Sequence, residues 1–278
     1  MTEEECIKSF EMKHTLLFVA LLMPILLFAQ QNVERYGACM IRDGVISGIH
    51  ENESFAMHSI MKFPQALFAA DYLNRKGIAL SETIVVSKAE LIQDTWSPML
   101  KLFEVKKNFS YSELLELSLT QSDNNACDLL FKYCGGPKAI ERYMRKLGFI
   151  DIHIRMTEKQ MQKKPANSIK NNTTPREMVR LFEWFFRHKN DNQNLQFIWK
   201  TMANCSTGQN RIPAAIPDGA TIIHKTGTGF PSSNGTQDMN DAGIIIMPDG
   251  NHSFIAIFTS NSKNEEELSN IAKQLLFK

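Results

Sequence analysis

Alternating apolar and polar positions predict strands near both ends of the chain. Residues alternate from Tyr36 to Ile41, Asp43 and Gly44 follow, and a second run extends from Val45 to Ile49. Two such runs around an Asp-Gly pair are typical of a β-hairpin. Towards the carboxyl end, three further runs predict strands over residues 220–226, 241–247 and 253–259.

The middle of the chain has helical patterns. Thr174-Pro175-Arg176-Glu177 is a capping box with proline in the first turn, and it predicts a helix running through Phe186. Gly135-Gly136 and Gly148 are expected to end two earlier helices. Asn264 and Glu267 predict the start of a last helix, whose apolar positions are Leu268, Ile271 and Leu275.

This order of elements predicts an α+β fold. The two chain ends form one antiparallel five-stranded sheet, helices cover it, and a mostly helical lobe is inserted between them. We expect a sheet lobe over about 31–58 and 206–278 and a helical lobe over about 59–205. A cleft between two such lobes is a natural binding site.

The amino-terminal 30 residues resemble a signal peptide. Lys13 and His14 precede a nearly unbroken apolar run from Leu16 to Ala29, which is too short for a membrane span. Because four glutamates precede Met12 and suit no leader, we expect translation to begin at Met12. Residues 31–278 are then a secreted domain without stable membrane association, since Cys39 lies too far from the leader to be a lipidated residue.

Composition narrows the function. The 278 residues are 43% hydrophobic, which excludes a disordered chain. Lys and Arg number 31 against 30 Asp and Glu, so charge gives no reason to expect nucleic acid as a partner, and a small molecule fits better. No His or Cys spacing indicates a metal site. The default oligomeric state is a monomer, and no cofactor is implied.

The cysteines are not expected to form a disulfide framework. Cys127 and Cys134 lie seven residues apart on one predicted helix, about 10 Å along its axis, which is too far to bridge. We interpret Cys39 and Cys205 as core residues.

Candidate chemistry begins at Ser59-Ile60-Met61-Lys62. A hydroxyl and an amine three residues apart share one face of a helix, and serine needs an adjacent base to act as a nucleophile. Ser260-Asn261-Ser262-Lys263 has the same spacing, so the pattern alone is weak. The apolar run after Ser59 predicts a buried, rigid helix, whereas Ser260 ends a strand.

Two more motifs follow in order. Ser122-Asp123-Asn124 lies between two apolar helical runs, and Lys225-Thr226-Gly227 ends a predicted strand. The ordered set SxxK, SDN and KTG belongs to class A β-lactamases and penicillin-binding proteins. From Val33 to its end the chain resembles a class A serine β-lactamase, of the subgroup with cephalosporinase and extended-spectrum members.

The resemblance implies the roles of the catalytic residues. A β-lactam would acylate Ser59 beside Lys62, and water would hydrolyse the acyl-enzyme. The deacylating base of this family corresponds to Glu158, 36 residues after Ser122. Ser122 would relay a proton to the leaving nitrogen, and the backbone N–H groups of Ser59 and Thr228 would form the oxyanion hole. The implied location is the bacterial periplasm.

The resemblance also implies a substrate-binding set. Asn124 would bind the substrate's amide side chain, and Lys225 would supply positive charge. Trp96 corresponds to an aromatic wall of the site, and Arg211 to a second cation for the substrate carboxylate. Thr226 and Thr228 correspond to hydroxyl ligands of that carboxylate. Gly227 is the remaining position of the KTG motif, and Gln162 corresponds to a side chain that helps to hold the water. For Arg211 and Trp96 the alternatives are an ordinary surface residue and packing. His58 and His224 are interpreted as structural.

Three departures surround Glu158. Gln162 stands where the family usually has asparagine, Met156 where it has arginine, and Asn171 where it has the aspartate that pairs with that arginine. We therefore expect no such salt bridge and an altered path for residues 155–172. Neither Ala66 nor Gly229 can form a carbapenemase-type disulfide.

Two alternatives remain open. A penicillin-binding peptidase or transpeptidase shares the three motifs, although the mature length and Glu158 argue against it. A binding protein that is acylated at Ser59 but does not turn over would follow if Gln162 and the altered loop failed to position water.

Overall fold

The computed structural model describes residues 35–277, and the predicted leader lies outside this range. Both ends of the described chain contribute to one antiparallel sheet of order β2-β1-β9-β8-β7, as the sequence predicts. The hairpin turn is at Asp43 and Gly44, both with positive φ, which suits the twist of the flanking strands. The sheet strands are β1 Arg35–Arg42, β2 Val45–Ile49, β7 Thr221–Thr228, β8 Met239–Ile246 and β9 His252–Ser260.

Short strands and helices fill the segment between β2 and β7. Four strands form two small two-stranded sheets, β3 with β6 and β4 with β5: β3 Phe55–Ala56, β4 Thr83–Val85, β5 Asn108–Ser110 and β6 Asn172–Thr173. The helices are α1 Lys62–Lys76, α2 Met99–Val105, α3 Tyr111–Thr120, α4 Asn124–Cys134, α5 Pro137–Lys146, α6 Glu158–Lys163, α7 Pro175–His188, α8 Gln193–Met202 and, after the sheet, α9 Glu266–Leu276. Turns of 3₁₀ helix cover His58–Met61, Lys88–Glu90, Pro165–Lys170 and Ile212–Ala215.

The large sheet separates two hydrophobic cores. Alternate residues of a strand point to opposite faces, so Phe254 and Phe258 join the core with α1 and α7, while Ile255 and Ile257 join the core under α9. Phe63 of α1 stacks on Phe182 of α7 at 4.1 Å between ring centroids. The predicted apolar positions of the last helix, Leu268, Ile271 and Leu275, are all buried.

The capping box predicted for α7 forms only in part. The Thr174 side chain accepts a hydrogen bond from the Glu177 backbone N–H, as expected. The Glu177 carboxylate does not return to Thr174; it accepts from the Asp151 N–H at 3.1 Å and from Arg180 at 2.5 Å. The Glu177 carboxylate is buried, and its bonds to a cation and to the backbone of a second loop are stronger than a bond to the N–H at its own helix end.

The division into a sheet lobe and a helical lobe stays a prediction. Helix α7, which lies inside the predicted helical segment, packs against β1, β8 and β9. Among residues 35–277, none of the helices has the length and apolarity needed to cross a bilayer.

Candidate active site

The predicted nucleophile lies on a rigid turn. Ser59 is in the 3₁₀ turn that precedes α1, rather than in the helix itself, and Lys62 is the first residue of α1. His58 has a φ of 48°, a left-handed conformation that places the turn under strain. Packing supplies the constraint, because Ile60, Met61 and Phe63 are fully buried.

Lys62 contacts three other polar residues of the site. Its side chain is completely buried, and its Nζ lies 2.7 Å from Ser59 Oγ, 2.8 Å from Asn124 Oδ1 and 2.6 Å from Glu158 Oε1. A buried ammonium needs a charged partner and further acceptors, and these three residues provide them. The nucleophile and the predicted base therefore contact the same nitrogen.

Glu158 is placed by the first turn of α6. Thr157 caps this helix in a reciprocal capping box with Gln160. Asp128 of α4 holds the same turn from outside, since its two carboxylate oxygens accept from the N–H groups of Glu158 at 2.7 Å and Lys159 at 2.8 Å. Burial raises the pKa of Asp128 to about 7, against the lowering effect of the Lys159 N–H bond.

The SDN motif forms the junction of α3 and α4. Ser122 has a φ of 58°, an unusual conformation for a non-glycine residue. Asp123 is fully buried, caps α4 through the Ala126 N–H and accepts from the Met99 N–H. Asn124 then extends towards Lys62 and also donates to Thr95 Oγ1 at 2.9 Å.

The KTG motif lies on β7, on the other side of the nucleophile. Lys225 is fully buried and donates to Ser122 Oγ at 3.0 Å and to the Thr226 carbonyl at 2.8 Å. Burial, and then the charge of Lys62, lower the pKa of Lys225 to about 7. Gly227 is required because a Cβ there would lie 2.5 Å from the Met57 carbonyl oxygen.

Arg211 is a buried residue, although its sequence position in a loop suggested an ordinary surface arginine as the alternative. It is 4% exposed, pairs with Glu265 at 2.8 Å and donates to the carbonyls of Gly227 and Asn240. Its Nη2 also donates to Thr228 Oγ1 at 2.7 Å. The guanidinium therefore lies directly behind the end of β7.

A cavity of about 450 Å³ opens in front of Ser59. Trp96 and Gln162 form part of its rim: Trp96 is largely exposed and donates to the Gln121 carbonyl, and Gln162 donates to the Asp94 carbonyl at 2.9 Å. Of the predicted residues, the lining contains Ser59, Trp96, Asn124, Glu158, Gln162 and Thr228. The other predicted residues are not part of this lining: Lys62, Ser122, Arg211, Lys225, Thr226 and Gly227.

Comparison with known proteins identifies the family. Residues 26–276 match the model of the β-lactamase enzyme family. β-Lactamase VEB-1 of Pseudomonas aeruginosa is 32% identical over 233 residues, covering 81% of this chain and 78% of VEB-1. A class A β-lactamase from Bacteroides cellulosilyticus matches with a TM-score of 0.80 at 27% identity, over 91% of this chain and 96% of that one. This chain belongs to the class A β-lactamases.

The fold of the enzyme agrees with that assignment. The crystal structure of the extended-spectrum β-lactamase TLA-1 matches with a TM-score of 0.84 and 30% identity, over 92% of this chain and 96% of that one. The predicted family and the predicted five-stranded α+β fold are both confirmed.

Asn171 ties residues 155 and 156 of this β-lactamase to the end of the same loop by hydrogen bonds. It is fully buried, and its Oδ1 accepts from the N–H groups of Arg155 and Met156 at 2.8 and 2.9 Å. Its Nδ2 donates to the Met156 carbonyl and lies 2.8 Å from Met61 Sδ. Arg155 points instead to Glu141, at 3.6 Å. Hydrogen bonds from Asn171 to backbone groups thus join the two ends of the segment 155–172.

Sequence reasoning missed Asp128 and Asn240. Asp128 lies four residues after Asn124 on α4, hence on the same helix face, and that spacing was the available signal. Asn240 donates to the Ala56 carbonyl at 2.8 Å and ties β8 to the segment before Ser59. Nothing local in the sequence pairs those positions, because the contact joins distant parts of the chain.

The interpretation of Cys205 as a core residue is wrong, and that of Cys39 is confirmed. Cys39 is fully buried, whereas Cys205 follows α8 on a partly exposed turn. The absence of a Cys127–Cys134 bridge is also confirmed, since both are free cysteines. His224 is structural as expected, with Nδ1 2.8 Å from Asp241 Oδ1.

Proposed function

We propose that this enzyme opens the β-lactam ring of penicillins and cephalosporins through an acyl-enzyme on Ser59, which water activated by Glu158 then hydrolyses. The observation that carries the proposal is the position of Lys62 Nζ, within hydrogen-bond distance of both Ser59 Oγ and Glu158 Oε1. The amine therefore lies close enough to both the nucleophile and the carboxylate to exchange protons with either.

Acylation uses the contacts of Lys62 with Glu158 and Ser59. A proton passed from Lys62 to Glu158 leaves an amine that accepts the Ser59 proton as Oγ attacks the lactam carbonyl. The N–H groups of Ser59 and Thr228 stabilise the developing oxyanion, a contribution of about 3–4 kcal/mol for such a donor. Ser122, which contacts Lys225, returns a proton to the leaving nitrogen.

Deacylation depends on Glu158. A buried carboxylate beside the acyl-serine can take a proton from water and direct it at the ester carbonyl, a general-base effect of about 10²–10⁴-fold. Asp128 fixes the backbone that carries this carboxylate. Gln162, which lines the same cavity as Glu158, supplies an amide for the attacking water.

Two parts of the substrate, its carboxylate and its amide side chain, bind at opposite ends of the cavity. Lys225 and Arg211 provide positive charge for the substrate carboxylate, and the hydroxyls of Thr226 and Thr228 provide hydrogen bonds. Support comes from Arg211, which donates to Thr228 Oγ1. At the other end of the cavity, Asn124 binds the amide side chain of the substrate and Trp96 forms an apolar wall.

We also propose that the enzyme is exported to the bacterial periplasm after removal of residues 1–30 and acts as a monomer. The apolar run before Gln30 supports export. Amino-terminal sequencing of protein recovered from the periplasm tests the cleavage site, and a retained leader would contradict it.

The decisive experiment is the time course of a chromogenic cephalosporin with the exported, purified enzyme, with product counted in enzyme equivalents. Sustained hydrolysis over many equivalents supports the proposal. A burst that stops near one equivalent would instead favour a penicillin-binding peptidase or a protein that only sequesters the drug.

Glu158→Ala then tests the base. We expect this variant to give a burst of one equivalent and an acyl adduct on Ser59, seen by intact mass. Glu104→Ala is the matched control, because Glu104 is an exposed glutamate on α2. Sustained turnover by Glu158→Ala would show that the base is another group.

A further inference from the structure

A contact between a histidine and an aspartate joins the turn of the nucleophile to the loop between β7 and β8. His58 Nε2 lies 2.9 Å from Asp238 Oδ2, although the two residues are 180 positions apart in the chain. The imidazole is almost completely buried, and the carboxylate is partly exposed. We call these two residues the His58–Asp238 pair.

Each member of the pair is next to one of the two proposed oxyanion donors. His58 directly precedes Ser59 in the chain. The carbonyl of Asp238 accepts a hydrogen bond of 2.8 Å from the N–H of Gly229, which is the residue after Thr228. The N–H groups of Ser59 and Thr228 therefore each lie one residue away from a contact of the pair.

The imidazole also packs against the backbone at the end of β7. A Cβ at Gly229 would lie 2.9 Å from both Cε1 and Nε2 of His58, so a glycine is what lets the ring approach this closely. The second oxygen of the carboxylate, Asp238 Oδ1, accepts from the N–H of Asn261 at 3.1 Å. Because Asn261 directly follows β9, the sheet holds the aspartate that holds the histidine.

The backbone of His58 needs such a constraint. Its φ of 48° lies in the left-handed region, which a residue with a side chain occupies only when the surrounding structure holds it there. Ile60 and Met61 fix the turn from its buried side, and Asp238 fixes the His58 ring. The direction of the peptide between His58 and Ser59, and with it the Ser59 N–H, depends on both constraints.

We propose that His58 and Asp238 are positioning residues of the oxyanion hole: together they set the separation and direction of the Ser59 and Thr228 N–H groups, and neither acts on the substrate directly. This inference rests on the proposed function, of which the oxyanion hole is a part.

Electrostatics suit this role. Burial opposes ionisation of the Asp238 carboxyl, but the hydrogen bond and the charge of His58 lower its pKa below the ordinary value. An ionised carboxylate only accepts hydrogen bonds, so Nε2 of His58 carries a proton and donates it. Hydrogen bonds to an ionised partner are shorter and stronger than those between neutral groups, which helps this contact to hold a backbone in place.

Loss of the pair should affect the transition state more than the bound substrate. Removing one oxyanion donor altogether costs about 10²–10³-fold in rate. Breaking the pair leaves both donors present and only releases their geometry, so we expect a smaller loss of about tenfold. The affinity for the substrate before the reaction should stay unchanged, because developing negative charge on the carbonyl oxygen appears only during acylation.

Stopped-flow mixing of the purified enzyme with the chromogenic cephalosporin measures the Kd before acylation and the acylation rate separately. His58→Ala and Asp238→Ala should each lower the acylation rate about tenfold and leave the Kd unchanged. A variant with both changes should lose no more than either alone, since the second change removes a contact that is already broken. His58→Gln keeps an N–H donor for Asp238 and should recover most of the rate.

A phenylboronic acid supplies a readout that does not require turnover. Its boron bonds to Ser59 Oγ, and one oxygen of the resulting tetrahedral adduct occupies the oxyanion hole, as in a transition state. The Kd for this probe should rise about tenfold in Asp238→Ala. If the wild-type enzyme were acylated once without turnover, the proposed function would fail, while this probe and the acylation rate would still measure the effect of the pair.

His50→Ala is the matched control. His50 also has a φ of 48° and a ring nitrogen 2.9 Å from a carboxylate, that of Glu53, but it is exposed directly after β2. It should keep both the acylation rate and the affinity for the boronic acid. Thermal unfolding checks that every variant is folded, and Asp238→Ala leaves the sequence of the Ser59 turn intact.

Four results would overturn the inference. They are an unchanged acylation rate in Asp238→Ala, a raised Kd for the cephalosporin with an unchanged rate, an equal loss in His50→Ala, and a loss in the double variant that equals the product of the two single losses. The second result would assign the pair to substrate binding, and the last would show that His58 and Asp238 act independently of each other.

Discussion

The active site contains two buried lysines, Lys62 in the half with Ser59 and Glu158, and Lys225 in the half formed by the KTG motif. The two lysines differ in the charge of their partners. Lys62 and Lys225 are both fully buried and both contact a serine of a catalytic motif. Lys62 also has a carboxylate, Glu158, at 2.6 Å. Lys225 donates to a hydroxyl and a carbonyl, which are neutral acceptors, and its pKa is lowered to about 7.

The difference teaches what each lysine is suited to do. A buried cation with a carboxylate partner can exchange protons with it during a reaction, and breaking that pair leaves an uncompensated charge. A buried cation without one attracts an anion from solution, because a bound carboxylate would be its first full counterion. On this argument we propose that Lys62 serves proton transfer and Lys225 serves substrate binding.

The largest expected effect comes from replacing Lys62. Lys62→Met should lower kcat/KM for a cephalosporin by about 10²–10⁴-fold and the free energy of unfolding by about 3–5 kcal/mol, because Glu158 is left buried and unpaired. Lys225→Met should cost far less stability. Thermal unfolding and initial rates measure both.

A double variant separates charge from packing at Lys62. Lys62→Met with Glu158→Gln removes both charges, and we expect it to regain most of the lost stability while activity stays absent. If stability does not return, the loss in Lys62→Met is not caused by breaking the Lys62–Glu158 pair. The proposed difference between Lys62 and Lys225 would then be wrong.

Asp128 provides the next test, because it supports only the Lys62 half. Asp128→Asn keeps one acceptor oxygen and presents an NH₂ group to the second backbone N–H. Loss of one such bond costs about 1–3 kcal/mol, so we expect kcat to fall about 5- to 150-fold with acyl-enzyme accumulating. Asp71→Asn, at a helix-surface aspartate that pairs with Arg75, is the control and should leave kcat unchanged.

The pH dependence of KM tests the Lys225 half. Below pH 7 the Lys225 amine is cationic; as pH rises through about 7 it loses its proton and its attraction for the substrate carboxylate. KM should therefore rise severalfold between pH 6 and pH 9. Lys225→Arg, whose guanidinium does not titrate in this range, should flatten the profile, and an unchanged slope would contradict the assignment.

The smallest effect is expected at the cavity rim. Gln162→Ala removes the bond to the Asp94 carbonyl, worth about 0.5–1.5 kcal/mol, and should reduce kcat about 2- to 12-fold with little change in KM. Lys163→Ala, at the exposed next position, is the control. A loss as large as that of Asp128→Asn would show that Gln162 positions the water as strongly as Asp128 positions Glu158.

The fold and the three motifs could be predicted from the sequence because each signal involves residues that are close together in the chain. Strand alternation, the Asp43–Gly44 turn and the apolar positions of the last helix each depend on residues a few positions apart. The order SxxK, SDN and KTG is likewise readable along the chain. The uncharged Asn171, which stands where the family usually has the aspartate of an ion pair, is also readable along the chain.

The sequence could not predict what replaced that ion pair. Asn171 accepts from two backbone N–H groups, and backbone groups carry no residue identity to be recognised. Glu177, expected to close a capping box, bonds to Asp151 and Arg180 instead. Competition between local and tertiary partners decided both cases.

The sequence by itself therefore determined the family, the order of the elements and the reactive groups of the site. Only the tertiary structure decided the electrostatics: which lysine has a carboxylate beside it, and why Asp128 supports Glu158. Burial and hydrogen bonding set these properties, and both depend on side chains that are far apart in the chain and adjacent only after folding.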